Sequence, residues 1–581
     1  MSPLIQGQTG AWTVRTVAFL IALLAVSPAA FADDALFDVM SVELDRSMAK
    51  LQLGDLEKPY FISYRIEDRD IATISGRLGS ITSNERSRGR TLTVEVRVGS
   101  PEFDNSNFLG SGRGAGQLGR ATKIPLDDNP KELRRRLWLA TDAAYKSALE
   151  NLAGKQAATQ NMTTTEEIPD FSAAEPFESM DDLSRDTPDF KAVAEIVKAT
   201  SGTFGQTPEV TNSSVRSTWN GIAVHFLNSE GSRYTSKRSY VAFAVSASAQ
   251  AADGLPIADS FSLYGRQQSD LPTKAELVEQ TRELAVRVRD LREAPLLDRY
   301  NGPVLFEGVG AVQAFAQGFA QSLLGQRLPF SSDPRFQQAA AQLENPFLDK
   351  LGARVLPSFL SVKDDPTLES SLGRYAADDD GVKSSPTQLV SDGILETLLT
   401  TRTPVRGVLA SSGSRRAGGA SPSSMFVSSS EGLDRAALKA QLIKTIEQRR
   451  KEYGIIVRRL GGSRGARGGG RGGRGGGGGG GSSVGGPVLA YKIYPDGREE
   501  LVRNLQFGDL AAASFKDIIA VSNKPTVHHA TFRSSNPFAR SASGGTPLVT
   551  WAVPDLLFED LTLSGPRGEI PSPPLLAPPS E

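Results

Sequence analysis

A short apolar strand that runs directly into a buried helix is the feature that most constrains this sequence. Residues 303–306 are apolar, and Gly308 and Gly310 follow them where a turn or a close backbone approach is expected. Apolar residues then recur at helical spacing up to Gly325: Val312, Phe315, Phe319 and Leu323. The stretch therefore predicts a strand, a glycine turn and a helix that lies in the core.

The first half of the chain alternates between helix-like and strand-like patterns. Helical spacing covers residues 35–52, 131–153, 189–199 and 274–292. Strand-like alternation covers residues 60–98, 214–228, 233–249 and 257–264. Asn129 and Thr273 are favourable N-caps, and the helix after Asn129 has an apolar surface wide enough to be buried on two sides. We predict a layered helix-and-sheet domain over residues 33–295, with an extended connector at about 163–190 outside its core.

The second half has the pattern of a β-rich domain over residues 296–565. Strand-like runs cover residues 455–460, 487–494, 499–507, 516–521, 528–533 and 548–553. Asp392 and Gly393 predict a hairpin turn. Residues 461–486 are almost wholly Gly, Ser and Arg and are expected to form a disordered insert, whereas the Pro-rich residues 566–581 are expected to be an extended tail. The predicted fold class is α+β, with two domains.

The beginning of the sequence has the pattern of a secretory signal. Residues 11–32 contain one positive charge, an apolar run from Val17 to Val26 and a small-x-small end at Ala30 and Ala32. We expect cleavage after Ala32 and a secreted or periplasmic mature protein. The alternative is an uncleaved membrane anchor, although the apolar run is shorter than the ~20 residues that span a bilayer. No later segment is apolar enough to span one.

Charge gives no indication of a nucleic-acid partner. The formal net charge is −1 over 581 residues, so there is no overall attraction to phosphate or to acidic lipid. Arg-Gly runs such as those in the insert can bind single-stranded RNA, but no aromatic residue is interleaved with them here. We therefore expect no nucleic acid and interpret the insert as a flexible segment.

Few residues offer metal or nucleophilic chemistry. The chain has no cysteine and only three histidines: His225, His528 and His529. His225 is expected to be a packed or edge histidine of a strand. The other two are adjacent on a strand, so their side chains point in opposite directions. A carboxylate-rich site would suit Ca²⁺ or Mg²⁺ and could draw on six residues: Glu307, Asp364, Asp365, Asp378, Asp379 and Asp380. The alternative is that these aspartates are solvated turn residues.

Five segments together resemble the TldD/PmbA family of metallopeptidases. They are Gly302–Gly310, Gly352–Thr367, Asp379–Val382, Gln388–Leu395 and Gly413–Arg416. The resemblance implies a two-domain protein that pairs into dimers enclosing a chamber. In the zinc-bearing branch the strand-to-helix passage carries His-Glu-x-x-x-His, and that subunit cleaves unfolded peptides. A second branch, which includes PmbA (also called TldE), lacks the motif and serves as a partner subunit.

This sequence departs from the zinc motif at both histidines. The matching positions are Phe306, Glu307 and Ala311, so only the glutamate is present. The resemblance therefore implies membership of the branch that lacks the metal motif, with no zinc cofactor. Glu307 is the candidate catalytic residue. The candidate binding residues lie in the resembling segments: Asp364, Asp365, Arg415 and Arg416.

Our leading hypothesis is an exported pseudoenzyme that binds unfolded peptide or acts as the partner subunit of a peptidase complex. Its expected partners are a second copy of the chain or a homologue of the same family. The first alternative is an active metallopeptidase with unorthodox metal ligands, in which case zinc would be expected. The second alternative is a structural protein of the cell envelope.

Overall fold

The computed structural model describes residues 35–109, 121–160, 168–331, 343–462, 484–508, 510–535 and 545–565, with positions 333, 335, 336 and 338. The expected signal sequence, most of the Gly-rich insert and the Pro-rich tail lie outside the described residues. The fold is a mixture of helices and strands arranged around three large sheets, so the predicted α+β class is confirmed.

A seven-stranded sheet organises the first half of the described chain. This half of the chain has eight strands, and all of them except β3 belong to that sheet: β1 (Pro59–Arg77), β2 (Ser80–Val98), β3 (Phe108–Leu109), β4 (Thr122–Ile124), β5 (Glu178–Leu183), β6 (Asn212–Asn228), β7 (Arg233–Gln250) and β8 (Pro256–Gly265). The order in the sheet is β4-β2-β1-β6-β7-β5, and β8 also pairs with β7. β5 is parallel to β7, whereas the β1, β2, β6 and β7 pairings are antiparallel.

Four helices cover this amino-terminal sheet: α1 (Ala35–Lys50), α2 (Pro130–Thr159), α3 (Phe190–Gly202) and α4 (Lys274–Glu293). α1 and α2 share one hydrophobic cluster with β1 and β2, and α3 and α4 share another with β6 and β7. The predicted caps are present, because the Asn129 side chain accepts from two backbone N–H groups and Thr273 forms a capping box with Glu276. The prediction that α2 is buried on two sides is wrong, since Trp138 is 47% exposed.

The segment predicted to be an extended connector outside the core is partly core. Phe171 is 4% exposed and packs edge-on against Phe61 at 4.9 Å between ring centroids. Asp170 is buried and forms an ion pair with the buried Lys155. β5 then lies at an edge of the amino-terminal sheet. The sequence did not predict these buried positions, because Asp170 and Phe171 are single residues in an acidic, Pro-bearing segment and do not form an apolar run.

The second half contains two further large sheets. Its strands are β9 (Tyr300–Phe306), β10 (Phe330–Ser331), β11 (Leu360–Asp364), β12 (Thr387–Ser391), β13 (Ile394–Leu395), β14 (Arg415–Arg416), β15 (Gly419–Ala420), β16 (Ser424–Ser429), β17 (Gly432–Leu433), β18 (Gly454–Leu460), β19 (Pro487–Ile493), β20 (Glu499–Val502), β21 (Gln506–Phe507), β22 (Ile518–Ser522), β23 (Thr526–Thr531), β24 (Leu548–Val553) and β25 (Leu556–Ser564). One sheet has the order β17-β22-β25-β9-β18-β19-β20, with β21 on β25, and the other has the order β13-β12-β11-β16-β24-β23. Helices α5 (Val309–Ala314) and α6 (Arg435–Gln448) accompany them. β14 and β15 form a separate two-stranded sheet.

The predicted strand-to-helix passage is present at the centre of the eight-stranded sheet. β9 pairs in parallel with β18 and antiparallel with β25. α5 continues as a turn of π-helix and a 3₁₀ turn to Leu323, and the four apolar residues predicted to face the core are buried. A side chain at Gly310 would place its Cβ 2.5 Å from the Val457 carbonyl oxygen, so the close approach of α5 to β18 requires glycine.

Ion pairs connect the two halves of the chain. Five of these pairs join an arginine of the second half to a carboxylate of the first: Arg374 to Asp181, Arg402 to Glu230, Arg415 to Glu95, Arg459 to Asp259 and Arg503 to Asp253. The Arg402 guanidinium also lies 3.7 Å from the centre of the Phe171 ring. In the part of the chain that the structure describes, no helix is long and apolar enough to cross a bilayer.

Candidate functional site

The two positions that carry zinc-binding histidines in the resembled motif are filled by apolar core residues. Phe306 ends β9, is fully buried, and packs against the rings of Phe558 at 5.4 Å and Phe507 at 5.8 Å. Ala311 lies in α5 and is also fully buried. Neither side chain has a lone pair, and a catalytic zinc ion ordinarily needs three protein ligands. These residues do not fit the zinc ion that the family motif implies.

The remaining motif residue, Glu307, is engaged by a cation. Its carboxylate accepts a hydrogen bond of 2.8 Å from Nε of Arg458 on β18, and its backbone N–H donates to the Val457 carbonyl. Arg458 also donates to Glu499 at 3.1 Å and lies over the Tyr491 ring at 4.6 Å. The carboxylate is therefore held in an ion-pair network that links the residue after β9 to β18 and β20.

A buried aspartate completes the turn between β9 and α5. Asp555 is 1% exposed, accepts a hydrogen bond of 2.7 Å from the Gly308 backbone N–H, and receives a second from Arg435 at 3.2 Å. Gly308 has φ +57°, a conformation that favours glycine. Sequence analysis missed Asp555. Its only sequence signal is a single acid directly after an apolar strand, at Pro554-Asp555.

The six acidic residues considered for a carboxylate site do not form one. Among the described residues, no three His, Cys, Asp or Glu side chains are grouped so that they could hold a metal ion. Asp364 accepts from the Ser423 and Ser424 backbone N–H groups at 2.9 Å, and burial raises its pKa. Asp365 instead closes a turn by accepting from Thr367.

The interpretation of these aspartates as solvated turn residues is wrong for three of them. Asp364, Asp378 and Asp380 are all buried. Asp378 accepts backbone hydrogen bonds from Asp380, Val382 and Arg415 at 2.9–3.0 Å, and its pKa is raised by burial and by the adjacent Asp380 charge. Asp378 and Asp380 do lie at a turn, but the turn is inside the protein because the two halves of the chain meet at Arg415, whereas Asp364 is the last residue of β11.

The histidines are dispersed. His225 is 5% exposed and packs edge-on against Phe37 at 5.4 Å, as expected for a packed strand residue. His528 and His529 lie next to each other on β23, opposite Trp551 and Thr550 of β24. Nδ1 of His529 is 3.0 Å from the Thr550 hydroxyl. Burial and the neighbouring His529 and Arg459 charges lower the pKa of His528 to about 4.

The two predicted binding arginines lie in different environments. Arg415 is an ion-pair partner of Asp380 and, at 3.3 Å, of Glu95 on β2. Arg416 donates to two backbone carbonyls, those of Pro422 at 2.9 Å and Leu548 at 3.0 Å. Burial is the main cause that lowers its pKa to about 10. Arg415 therefore joins the two halves, whereas Arg416 faces a cleft between them.

That cleft, of about 310 Å³, lies between the amino-terminal sheet and the loops of the second half. Its walls come from β1, β6 and β7 on one side and from residues 371–379, 416–417 and 545–548 on the other. Six arginines line it: Arg65, Arg69, Arg238, Arg266, Arg374 and Arg416. We call it the arginine cleft. Sequence analysis missed it because its residues come from segments far apart in the chain.

Comparisons with known proteins agree with the resemblance. Residues 181–289 match the model of the PmbA/TldA metallopeptidase central domain, and residues 316–468 match that of the PmbA/TldA metallopeptidase C-terminal domain. A metalloprotease of Methanocaldococcus jannaschii is 43% identical over 61 residues, which are 10% of this chain and 14% of that protein. The match thus spans about one seventh of that relative's length.

Solved structures share the fold at low sequence identity. A proposed modulator of DNA gyrase from Bacteroides thetaiotaomicron has a TM-score of 0.57 and 13% identity, over 91% of this chain and 98% of that one. A proposed modulator of DNA gyrase from Thermotoga maritima gives 0.55 and 15%, over 87% and 96%. TldE from Thermococcus kodakarensis gives 0.53 and 15%, over 92% and 100%. With two family domains matched in order and the same overall fold, the chain belongs to the TldD/PmbA family of metallopeptidase-related proteins.

Proposed function

We propose that this chain is an exported, non-proteolytic member of its family that binds unfolded peptide or serves as the partner subunit of a peptidase complex. One observation carries the proposal. At the three motif positions, two side chains are buried hydrocarbons and the third, Glu307, is paired with Arg458. A metallopeptidase uses its glutamate as a general base toward a metal-bound water, which requires both the metal ligands and a carboxylate that faces the water.

Two further observations support the other parts of the proposal. The signal-like pattern of residues 11–32 supports export. Similarity of fold to TldE supports a role within a complex. The expected complex is a dimer, either of two copies of this chain or with a family homologue that carries the intact His-Glu-x-x-x-His.

An active metallopeptidase with unorthodox ligands is the competing function. It is favoured by the 43% identity to a metalloprotease over 61 residues and by the presence of Glu307. Ligands for such a site would have to come from outside the motif, because Phe306 and Ala311 cannot bind a metal.

Cleavage of an unfolded substrate separates the two functions. The full exported chain is incubated with reduced, labelled casein, with and without a zinc chelator, and Glu307→Gln is measured in parallel. We expect no chelator-sensitive cleavage above that of Glu307→Gln. Cleavage that the chelator and Glu307→Gln both abolish would contradict the proposed function.

Sequencing the amino terminus of the exported chain tests export, with Asp33 as the expected first residue.

A further inference from the structure

The arginine cleft contains positive charge that is not paired with a carboxylate among the described residues. Three of its arginines form no ion pair with a carboxylate in the described residues: Arg238, Arg266 and Arg416. Arg266 and Arg416 donate to backbone carbonyls instead, and Arg238 makes no side-chain hydrogen bond within the described ranges. Arg416 is buried, and a buried arginine without an anionic partner is unfavourable, whereas Arg238 and Arg266 are half-buried.

The acidic residues of the cleft wall are already satisfied by other groups. Glu67 is 2% exposed in its side chain and lies between Arg65 and Arg69, with an ion pair to each. Asp378 is occupied by backbone N–H groups, and Asp379 accepts from the Ala417 N–H at 2.7 Å. No carboxylate of the wall therefore reaches Arg238, Arg266 or Arg416 with a hydrogen bond in the described structure.

The arginines in and beside the arginine cleft also repel one another. The pKa of Arg266 is lowered by burial and by the charges of Arg185 and Arg374, against the opposing effects of Asp270 and Asp181. The pKa of Arg416 is lowered by burial and by the charge of Arg238, against the opposing effects of Tyr375 and two aspartates. A bound anion would relieve this repulsion.

The shape of the cleft indicates an extended ligand. Arg69, Ile222, Arg238 and Ser239 line both the arginine cleft and a shallower depression of about 480 Å³ on the amino-terminal sheet. Arg238 thus stands where the two depressions meet. Apolar side chains flank the charged ones along the cleft: Leu183, Ile222, Leu372, Pro547 and Leu548. A peptide offers both an oxyanion and aliphatic groups.

We propose that the arginine cleft binds a carboxylate group of an extended peptide, with Arg238 as the principal ligand and Arg266 and Arg416 as the surrounding positive charge. The planar guanidinium matches a carboxylate through two parallel hydrogen bonds. The choice of a peptide rests on the proposed function. The carboxylate comes either from the end of the peptide chain or from an acidic side chain, and the experiment distinguishes these sources.

Binding of three fluorescein-labelled Gly/Ser peptides to the full chain tests the proposal. The first has a free carboxyl terminus, the second is its amide, and the third is an amide with internal glutamates. We expect the first or the third to bind at least about tenfold more tightly than the second, and that preference identifies the source of the carboxylate. Arg238→Gln is expected to remove the preference by weakening binding of the preferred peptide roughly ten- to hundredfold.

Three controls accompany the measurement. Arg498→Gln, in an exposed turn, should leave the preference intact. Arg238→Gln should keep the wild-type unfolding temperature because Arg238 has no side-chain hydrogen bond within the described residues to lose, and Arg238→Lys should restore part of the preference. Equal affinity for the three peptides, no binding of any, or a preference that persists in Arg238→Gln overturns the proposed site. Chelator-sensitive cleavage of casein would instead overturn the proposed function, so the two failures are distinct.

Discussion

Nε of Arg458 lies 2.8 Å from a carboxylate oxygen of Glu307, across the parallel pairing of β9 and β18. The Glu307 side chain is 12% exposed, and the Arg458 side chain is 35% exposed and held between two acids. A general base must keep its carboxylate available to the proton that it abstracts. In this chain the Glu307 carboxylate instead forms an ion pair with Arg458, which supports the proposed non-proteolytic function.

Replacing Glu307 with Gln should lower the free energy of unfolding slightly and should not change the peptidase activity, which we expect to be absent from both proteins. The ion pair is partly exposed and Arg458 keeps its contact with Glu499, so we expect a loss of about 1 kcal/mol in the free energy of unfolding. Urea unfolding measures this loss, and Glu279→Gln in an exposed pair on α4 is the control, with a change below about 0.5 kcal/mol. Unchanged stability together with loss of a peptidase activity would contradict the proposed non-proteolytic function.

Removing the Arg402 guanidinium should loosen the contact between the two halves. Its side chain is 1% exposed, pairs with Glu230, donates to the Ser172 carbonyl at 2.7–2.9 Å and lies over Phe171. For Arg402→Met we expect a loss of about 2–4 kcal/mol in the free energy of unfolding, because these contacts of a buried side chain are removed. The loss is not larger because Glu230 is partly exposed and can be hydrated when unpaired.

Arg406→Met is the matched control for Arg402→Met. Arg406 and its partner Asp349 are 52% and 67% exposed in their side chains, so the control should change the free energy of unfolding by less than about 0.5 kcal/mol. Urea unfolding of both variants gives the comparison. Equal losses in the two variants would show that the Arg402 contacts do not hold the halves together.

His528 should make the protein sensitive to mild acid. Burial, with the His529 and Arg459 charges, lowers its pKa from 6.5 to about 4 in the folded chain. Between these values the unfolded chain binds a proton that the folded chain does not, so the contribution is present above pH 6.5 and is lost as the pH falls toward 4. The loss amounts to about 2 kcal/mol by pH 5.

His528→Gln isolates this contribution. The difference in free energy of unfolding between wild type and variant should shrink by about 2 kcal/mol from pH 8 to pH 5, as followed by urea unfolding at each pH. The measurement at pH 8 is the internal control, because it gives the packing effect of the substitution alone. A difference that stays constant over this range would show that His528 titrates normally.

Local patterns predicted the strand-to-helix passage and the helix starts. Gly308 and Gly310 indicated a turn and a close approach, and the structure requires them for those reasons. The Asp392-Gly393 hairpin is present between β12 and β13, with positive φ at both residues. These features depend on neighbours within a few residues, so the sequence contains all that is needed to predict them.

Contacts between distant segments could not be predicted. Asp378 and Asp380 have the composition of a solvated turn, yet both are buried where Arg415 reaches toward Glu95 of β2. The arginine cleft likewise combines Arg65, Arg238 and Arg416 from three separate parts of the chain. Burial of a charged turn depends on what packs over it, and a single sequence does not specify that partner.

The zinc content of the full chain tests the central claim most directly. The protein is dialysed against excess zinc, passed over a desalting column and measured by elemental analysis, together with Glu307→Gln. We predict far less than one zinc per chain and no difference between the two proteins, because Phe306 and Ala311 place hydrocarbon at the ligand positions. One tightly held zinc per chain that is lost in Glu307→Gln would contradict the account.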